Sequence, residues 1–291
     1  MLLIYRAPAF SPNAVRRGRA IIAAIGRLLS SSGMSVDYVE EEQLTSSAVA
    51  GMCVTMSRTR HALDILKGIE RGGGIVLNSA FGIERCARGV LDNIMRTNDI
   101  PAAPLFSPDI RYGDHNGDGC RKDNGFWLKR ADMATQTKSD VQHVDDAAGM
   151  TRTLTSFHQR GIHDVLITEH VVGDIVKFYG VYGTGFFRIF YPTDDGQTKF
   201  GNERFNGKAH HYAFSKDKLH SHAEQIAQLT GVKIYGGDCI VRSDGSYAII
   251  DFNDFPSFSR CCDEAADAIV RLLMNERAHT RRETILNQII R

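Results

Sequence analysis

Net charge, paired cysteines and long apolar runs are all missing from this 291-residue chain. Lys and Arg total 35 against 34 Asp and Glu, a formal net charge of +1. So even a balance excludes a dominant electrostatic attraction to nucleic acid or to a membrane surface, and neither is expected as a partner. The six cysteines contain no C-x-x-C pair, which argues against a zinc site, and adjacent Cys261-Cys262 makes a poor disulfide framework. Reduced thiols in a cytoplasmic protein are the expectation. No apolar run approaches the length needed to cross a bilayer. The opening MLLIYRAPAF is interrupted by Arg6 and Pro8, too early for a secretory signal. Neither G-x-G-x-x-G nor G-x-x-x-x-G-K-[ST] occurs, so Gly72-Gly73-Gly74 reads as a loop and not a phosphate cradle. No internal repeat and no low-complexity region is visible.

What the chain has is an ordinary apolar content of 43% and a charged content of 24%, enough for two or three packed lobes. Apolar strands at 2–5, 34–39, 51–56 and 75–77 alternate with helical patterns at 13–31 and 59–71, which predicts a small parallel α/β sheet. Residues 78–98 read as mostly helix carrying Arg85, Arg88 and Arg96, and Ile100-Pro101 with Pro104 marks a boundary. The polar 107–125 segment contains DHNGDG, which imitates the start of a calcium loop. Gly125 stands where that loop needs a bidentate Glu, so a surface connection is expected. Strands are expected at 126–130 (FWLKR), 165–168, 175–182 and 186–191, and helices at 145–160, 216–230 and from 261 to 275 with the Arg-rich tail after it. Between them, 193–211 is a basic polar loop with Lys199, Arg204, Lys208, His210 and His211.

Residues 235–258, YGGDCIVRSDGSYAIIDFNDFPSF, carry the most chemistry. They read as a hairpin reversing at Ser243-Asp244-Gly245, where Gly accepts positive φ. Asp251 and Asn253 stand two apart near the end of an aliphatic strand, so they leave by one face. Asp238 on the neighbouring strand reaches the same spot if the register permits. Two carboxylates and an amide oxygen suit Mg²⁺, which is usually completed by substrate phosphates. The competing reading makes these residues turn formers of an exposed hairpin. Pro256-Ser257 is expected to open a helix toward the site.

FWLKR, ITEHVVGDIVKFYGV and GGDCIV…AIIDFNDFPSF, in that order, resemble the signatures of the ATP-grasp enzymes. The resemblance implies an α/β chain in three parts: a Rossmann-like domain over 1–100, a central lobe over 101–172 and a C-terminal lobe over 173–291. It implies ATP and Mg²⁺ as cofactors. Lys129, with Arg88, would meet the nucleotide phosphates, and Glu169, His170, Val171 and Val172 would form the adenine-binding hinge. Asp174 would meet the ribose, and Lys177 and Arg204 the transferred phosphate or the acceptor. Asp238, Asp251 and Asn253 would hold Mg²⁺, and Lys199, Lys208 and Ser257 would face a small anionic acceptor. Against this, Lys129 also reads as an edge-strand lysine guarding against aggregation. Two reactions fit the resemblance. Carboxylate–amine ligases, including those acting on ribosomal protein, share the N-S-x-x-x-I and I-P elements at Asn78 and Ile100. Inositol polyphosphate 5/6-kinases share K-x-Y at Lys177 and D-x-N-x-F-P at Asp251, where ligases usually carry Glu. A non-catalytic ATP-binding module is the third reading.

Overall fold

A computed structural model describes residues 1–10, 14–48, 51–106, 124–132, 137–195 and 205–289. Expectations for the 107–123 loop, and for Lys199 and Arg204, therefore lie outside the described residues.

The N-terminal sheet is wholly parallel, in the order β2-β1-β3-β4, from β1 (Leu2–Tyr5), β2 (Asp37–Glu40), β3 (Met52–Thr55) and β4 (Ile75–Leu77). Parallel strands need crossovers, and α1 (Val15–Ser31) and α2 (Arg60–Arg71) supply them. Thr59 caps α2, its hydroxyl accepting from the Ala62 N–H. The expected long helix over 78–98 is two helices, α3 (Ala80–Arg85) and α4 (Arg88–Thr97), broken at Cys86-Ala87.

A second sheet, β6-β5-β7, is antiparallel and comprises β5 (Phe126–Arg130), β6 (Val141–Val144) and β7 (Val165–Glu169), with α5 (Ala147–Gln159) against it. Lys129 thus lies on a central strand and is only 7% exposed, which removes the edge-guard reading. The third sheet, β11-β10-β8-β9, is also antiparallel, from β8 (Asp174–Val181), β9 (Phe186–Phe190), β10 (Ile234–Val241) and β11 (Tyr247–Asp254). The short α6 (Pro192–Asp195) follows β9, and α7 (Lys216–Thr230) begins at a Ser215 cap and ends at Gly231 with φ +81°.

Helices cross between these sheets. α8 (Cys262–Ile289) continues through the Arg-rich tail, as expected, and lays Ala265, Ile269, Leu272 and Leu273 onto Ile21, Ile22, Ile25 and Leu29 of α1. α4 inserts Leu91 and Met95 among Leu219, Ala223 and Ile226 of α7. The first and last parts of the chain therefore share one core. No helix among the described residues is long and apolar enough to cross a membrane.

Candidate active site

The hairpin β10–β11 contains one irregularity, and it aims the site. Asp238 stands directly opposite Asp251 and Cys239 opposite Ile249, so Ile250 is an extra residue on β11. Such a bulge shifts side-chain parity by one. Before it, Tyr247 and Ile249 face a core shared with Cys239 and Val241; beyond it, Phe252 takes that face. Asp251 and Asn253 are thereby turned to the other side, into a cavity of about 290 Å³ that Asp238 also lines. Gly237 permits the close approach of the strands: a Cβ there would lie 2.3 Å from the Asp251 carbonyl oxygen and 2.4 Å from Cζ of Phe178. Gly237→Ala is expected to destabilise the protein by about 1–3 kcal/mol, the usual cost of overpacking. Urea unfolding followed by circular dichroism measures this, and an unchanged midpoint would contradict the tight contact.

Cations surround the carboxylates. Lys177, opposite Asp238 on β8, donates to its Oδ1 at 2.5 Å. Arg88, the first residue of α4, places Nη2 3.7 Å from Oδ1 of Asp251, and Nδ2 of Asn253 donates to Oδ2 of Asp251 at 2.9 Å. Burial alone would raise the Asp251 carboxyl. Arg88, the Asn253 hydrogen bond, Lys129 and Lys177 more than offset that and hold it below the usual carboxylate range. Lys129 donates to the carbonyl of the bulge residue Ile250 at 3.2 Å. Burial, and then Arg88 beside it, bring the Lys129 ammonium down from 10.5 to about 8. The expected cluster of Arg88, Lys129, Lys177, Asp238, Asp251 and Asn253 is thus gathered along one cavity.

Glu169, Val171, Trp127 and Thr168 line one end of that cavity. Asn206 joins them and ties its segment to the 170–173 link, Nδ2 donating to the carbonyls of Val171 and Gly173 at 2.9 and 3.0 Å. The hinge expectation needs a correction in detail. The His170 side chain is turned to Trp127, whose Nε1–H donates to its Nδ1 at 2.9 Å, and Val172 is 56% exposed. Neither residue is among those lining the cavity. Asp174 is not among the lining residues: it is 2% exposed, and its two carboxylate oxygens accept the backbone N–H groups of His210 and Tyr212 at 2.7 and 2.8 Å. Its placement is that of a loop anchor, not of a ribose contact. Lys208 is exposed and outside the cavity lining, whereas Ser257 lines it. The helix expected at Pro256-Ser257 begins only at Cys262, so no helix terminus faces the site there.

At the other end, residues not expected from the sequence complete the wall. Arg6 follows β1, Arg58 follows β3 by three residues, and Asp254 ends β11. Nη2 of Arg6 donates to Oδ2 of Asp254 at 3.0 Å, and Arg58 holds both Asp254 oxygens, Nε to Oδ2 at 3.2 Å. Glu41 fixes both arginine segments. Its fully buried carboxylate accepts the backbone N–H groups of Ala7, Arg58 and Thr59, the last two at 2.6 and 3.0 Å. The sequence signal was the placement of basic residues just past the carboxyl ends of parallel strands, where open α/β sheets bind ligands.

Two carboxylates facing each other across one strand pair, with the Asn253 amide beside them through its nitrogen, form a donor set whose hard oxygens fit Mg²⁺. The described residues contain no group of three His, Cys, Asp or Glu that would hold a metal without the amide.

No protein-family model and no curated protein matches the sequence. Solved structures do match. D-alanyl-alanine synthetase A from Vibrio cholerae superposes with a TM-score of 0.66 at 13% identity, over 96% of this chain and 98% of that one. D-alanine–D-alanine ligase from Bacillus anthracis complexed with ATP gives 0.62 at 13% identity, over 99% and 98%. A RimK domain ATP-grasp protein from Sphaerobacter thermophilus gives 0.61 at 18% identity, over 94% and 100%. The chain has the ATP-grasp fold, a mixed α/β architecture with an N-terminal parallel sheet.

Proposed function

We propose that this chain is a Mg²⁺- and ATP-dependent ATP-grasp ligase that activates a carboxylate of a small anionic acceptor as an acyl phosphate and joins it to an amine. The observation that carries this reading is the convergence of Arg88, Lys129 and Lys177 with Asp238, Asp251 and Asn253 along one cavity. Phosphoryl transfer asks little covalent chemistry of a protein and much positioning and charge neutralisation. Lys129 and Arg88 neutralise the nucleotide phosphates, and Glu169 and Val171 receive the adenine. Asp238, Asp251 and Asn253 would hold Mg²⁺, which would supply neutralisation of the charge on the transferred phosphoryl group. Lys177, now paired with Asp238, would turn its charge to the transferred phosphoryl group once Asp238 serves as a metal ligand. An acceptor carboxylate oxygen bonds to the γ-phosphorus while the bond to the bridging oxygen breaks and ADP leaves. The amine then attacks the acyl carbon, loses a proton, and releases phosphate. Lys199, Arg204 and Lys208 belong to the loop that would close over the acceptor.

The names of the matching structures, D-alanine–D-alanine ligases and a RimK domain protein, support the ligase reading. Aspartate at 251 favours the kinase reading, transfer to a hydroxyl of an inositol phosphate or similar polyol phosphate. Hydroxylamine separates them, because it captures acyl phosphates and leaves phosphate esters untouched. With ATP, Mg²⁺ and pooled cellular carboxylates, hydroxamate is the expected product. Acid-stable phosphate transferred from labelled ATP to an inositol phosphate, without hydroxamate, would establish the kinase instead. ATP binding without any turnover would leave a binding module.

A further inference from the structure

The Arg6–Arg58–Asp254 cluster is more than a structural ion pair. One carboxylate, Asp254, is ion-paired with both guanidinium groups, and the buried Glu41 carboxylate behind their segments also acts on Arg6. Both arginine side chains are 9% exposed and both residues line the cavity. Every hydrogen bond of Arg6 runs from Nε or Nη2, to Met56, Asp254 and Phe255. Every hydrogen bond of Arg58's side chain runs from Nε or Nη2 to Asp254. The two Nη1 groups have no partner among the described residues, yet neither is sealed within the packing. Four N–H donors on two mostly buried cations that line the cavity are thus left without a protein partner among the described residues. Burial and the neighbouring Arg58 lower Arg6, but only to about 10, so both stay charged at neutral pH. Two further carboxylates act on the pair, buried Glu41 on Arg6 and Asp251 on Arg58, while Phe10, Ala14, Gly18 and Met56 form an apolar wall beside it.

We infer that this end of the cavity is an oxyanion-binding subsite. It would receive a second anionic group of the acceptor, at the end remote from the group that is activated. Paired guanidinium N–H donors match carboxylate or phosphate oxygens and have no comparable use for a neutral group. Asp254 lies three residues beyond Asp251 on β11, about 10 Å along an extended strand. An acceptor that reaches both points is an elongated dianion, with a few carbon atoms between its charged ends. This rests on the proposed function for the role of the activated end, while the subsite itself rests on the arginines alone.

Calorimetric titration of the full chain with glutarate and butyrate tests it, in the presence and absence of Mg²⁺ and a non-hydrolysable ATP analogue. Glycerol 3-phosphate and glycerol form the phosphate arm. Glutarate is expected to bind about tenfold or more tighter than butyrate, the worth of a charge-assisted contact. Arg58→Gln should bring the two within about twofold. Asp254→Asn should widen the preference, because it removes the carboxylate charge to which both guanidinium groups are paired; a purely structural ion pair predicts no such gain. If Arg58→Gln does not fold, Arg6→Gln and Asp254→Asn carry the same comparison. A preference for glycerol 3-phosphate over glycerol, lost in Arg58→Gln, would support the subsite with a phosphorylated acceptor. Equal binding within both pairs, in the nucleotide-free and nucleotide-bound protein alike, would overturn it. Failure of the ATP analogue to bind would overturn the proposed function and leave the subsite to be decided by the nucleotide-free titrations.

Discussion

Asp251→Asn is expected to lower Mg²⁺-dependent turnover by on the order of a thousandfold or more while the protein stays folded. The side chain is nearly isosteric, and its oxygen still accepts the Asn253 amide that now donates to Asp251 at 2.9 Å. What disappears is the charge. In the free protein that charge balances Arg88 at 3.7 Å and helps to hold the Lys129 proton. In the working enzyme it would be one of the two anionic metal ligands. Removing it also weakens the hold on the Lys129 proton, so the pH above which Lys129 is neutral should move down in this variant. Steady-state assays across Mg²⁺ concentrations, with circular dichroism as the folding control, measure the effect. Full activity in the variant, or wild-type activity indifferent to Mg²⁺, would return Asp251 to a turn-forming role.

Lys129→Met is expected to weaken ATP binding by about 1.5–3 kcal/mol, roughly ten- to 150-fold, the range for a hydrogen bond between a cation and a phosphate. The same substitution should stabilise the nucleotide-free protein at neutral pH, because it removes a buried ammonium that burial disfavours. Two readouts of opposite sign make the assignment demanding. The pH dependence follows from the same residue. Unfolded lysine keeps its proton to about 10.5, while folded Lys129 releases it near 8. Between those values the unfolded state binds more protons, so the stability of the free protein should rise with pH. Nucleotide phosphates favour the charged form, so ATP affinity should fall as pH rises above about 8, and that decline should be absent in Lys129→Met. Calorimetry showing unchanged affinity in the variant would remove Lys129 from the nucleotide site.

The legible parts of this chain were those where local chemistry and local structure coincide. Lys129 within an apolar strand, the Asp251-Asn253 pair in an aliphatic run, and α7 between Ser215 and Gly231 all carry their signals within a few residues. β6 was not expected, because VQHV has two polar residues at its centre and is held by pairing with β5. Asp174 looked like a ligand contact because its neighbours on the hinge suggested one; the backbone groups that claim it lie 36 and 38 residues away. The bulge at Ile250 left no trace in composition. Arg6 and Arg58 were passed over because each is a single basic residue, and their meaning comes from Asp254, near the opposite end of the chain.

That last contact has a consequence for how the protein is made. Arg6 and Asp254 are 248 residues apart and Arg58 and Asp254 are 196 apart. Closing such loops is entropically only modestly worse than closing short ones, but it is late, since distant contacts form after local ones. During synthesis the N-terminal sheet emerges first. Arg6, Arg58 and Glu41 are made long before Asp254, and α8, which shares the core of α1, is made later still. Until β11 has been made the two guanidinium groups lack the carboxylate to which both are paired. Arrival of Asp254 ends that state, so the acceptor wall and the metal ligands of β11 are finished by the same stretch of nascent chain.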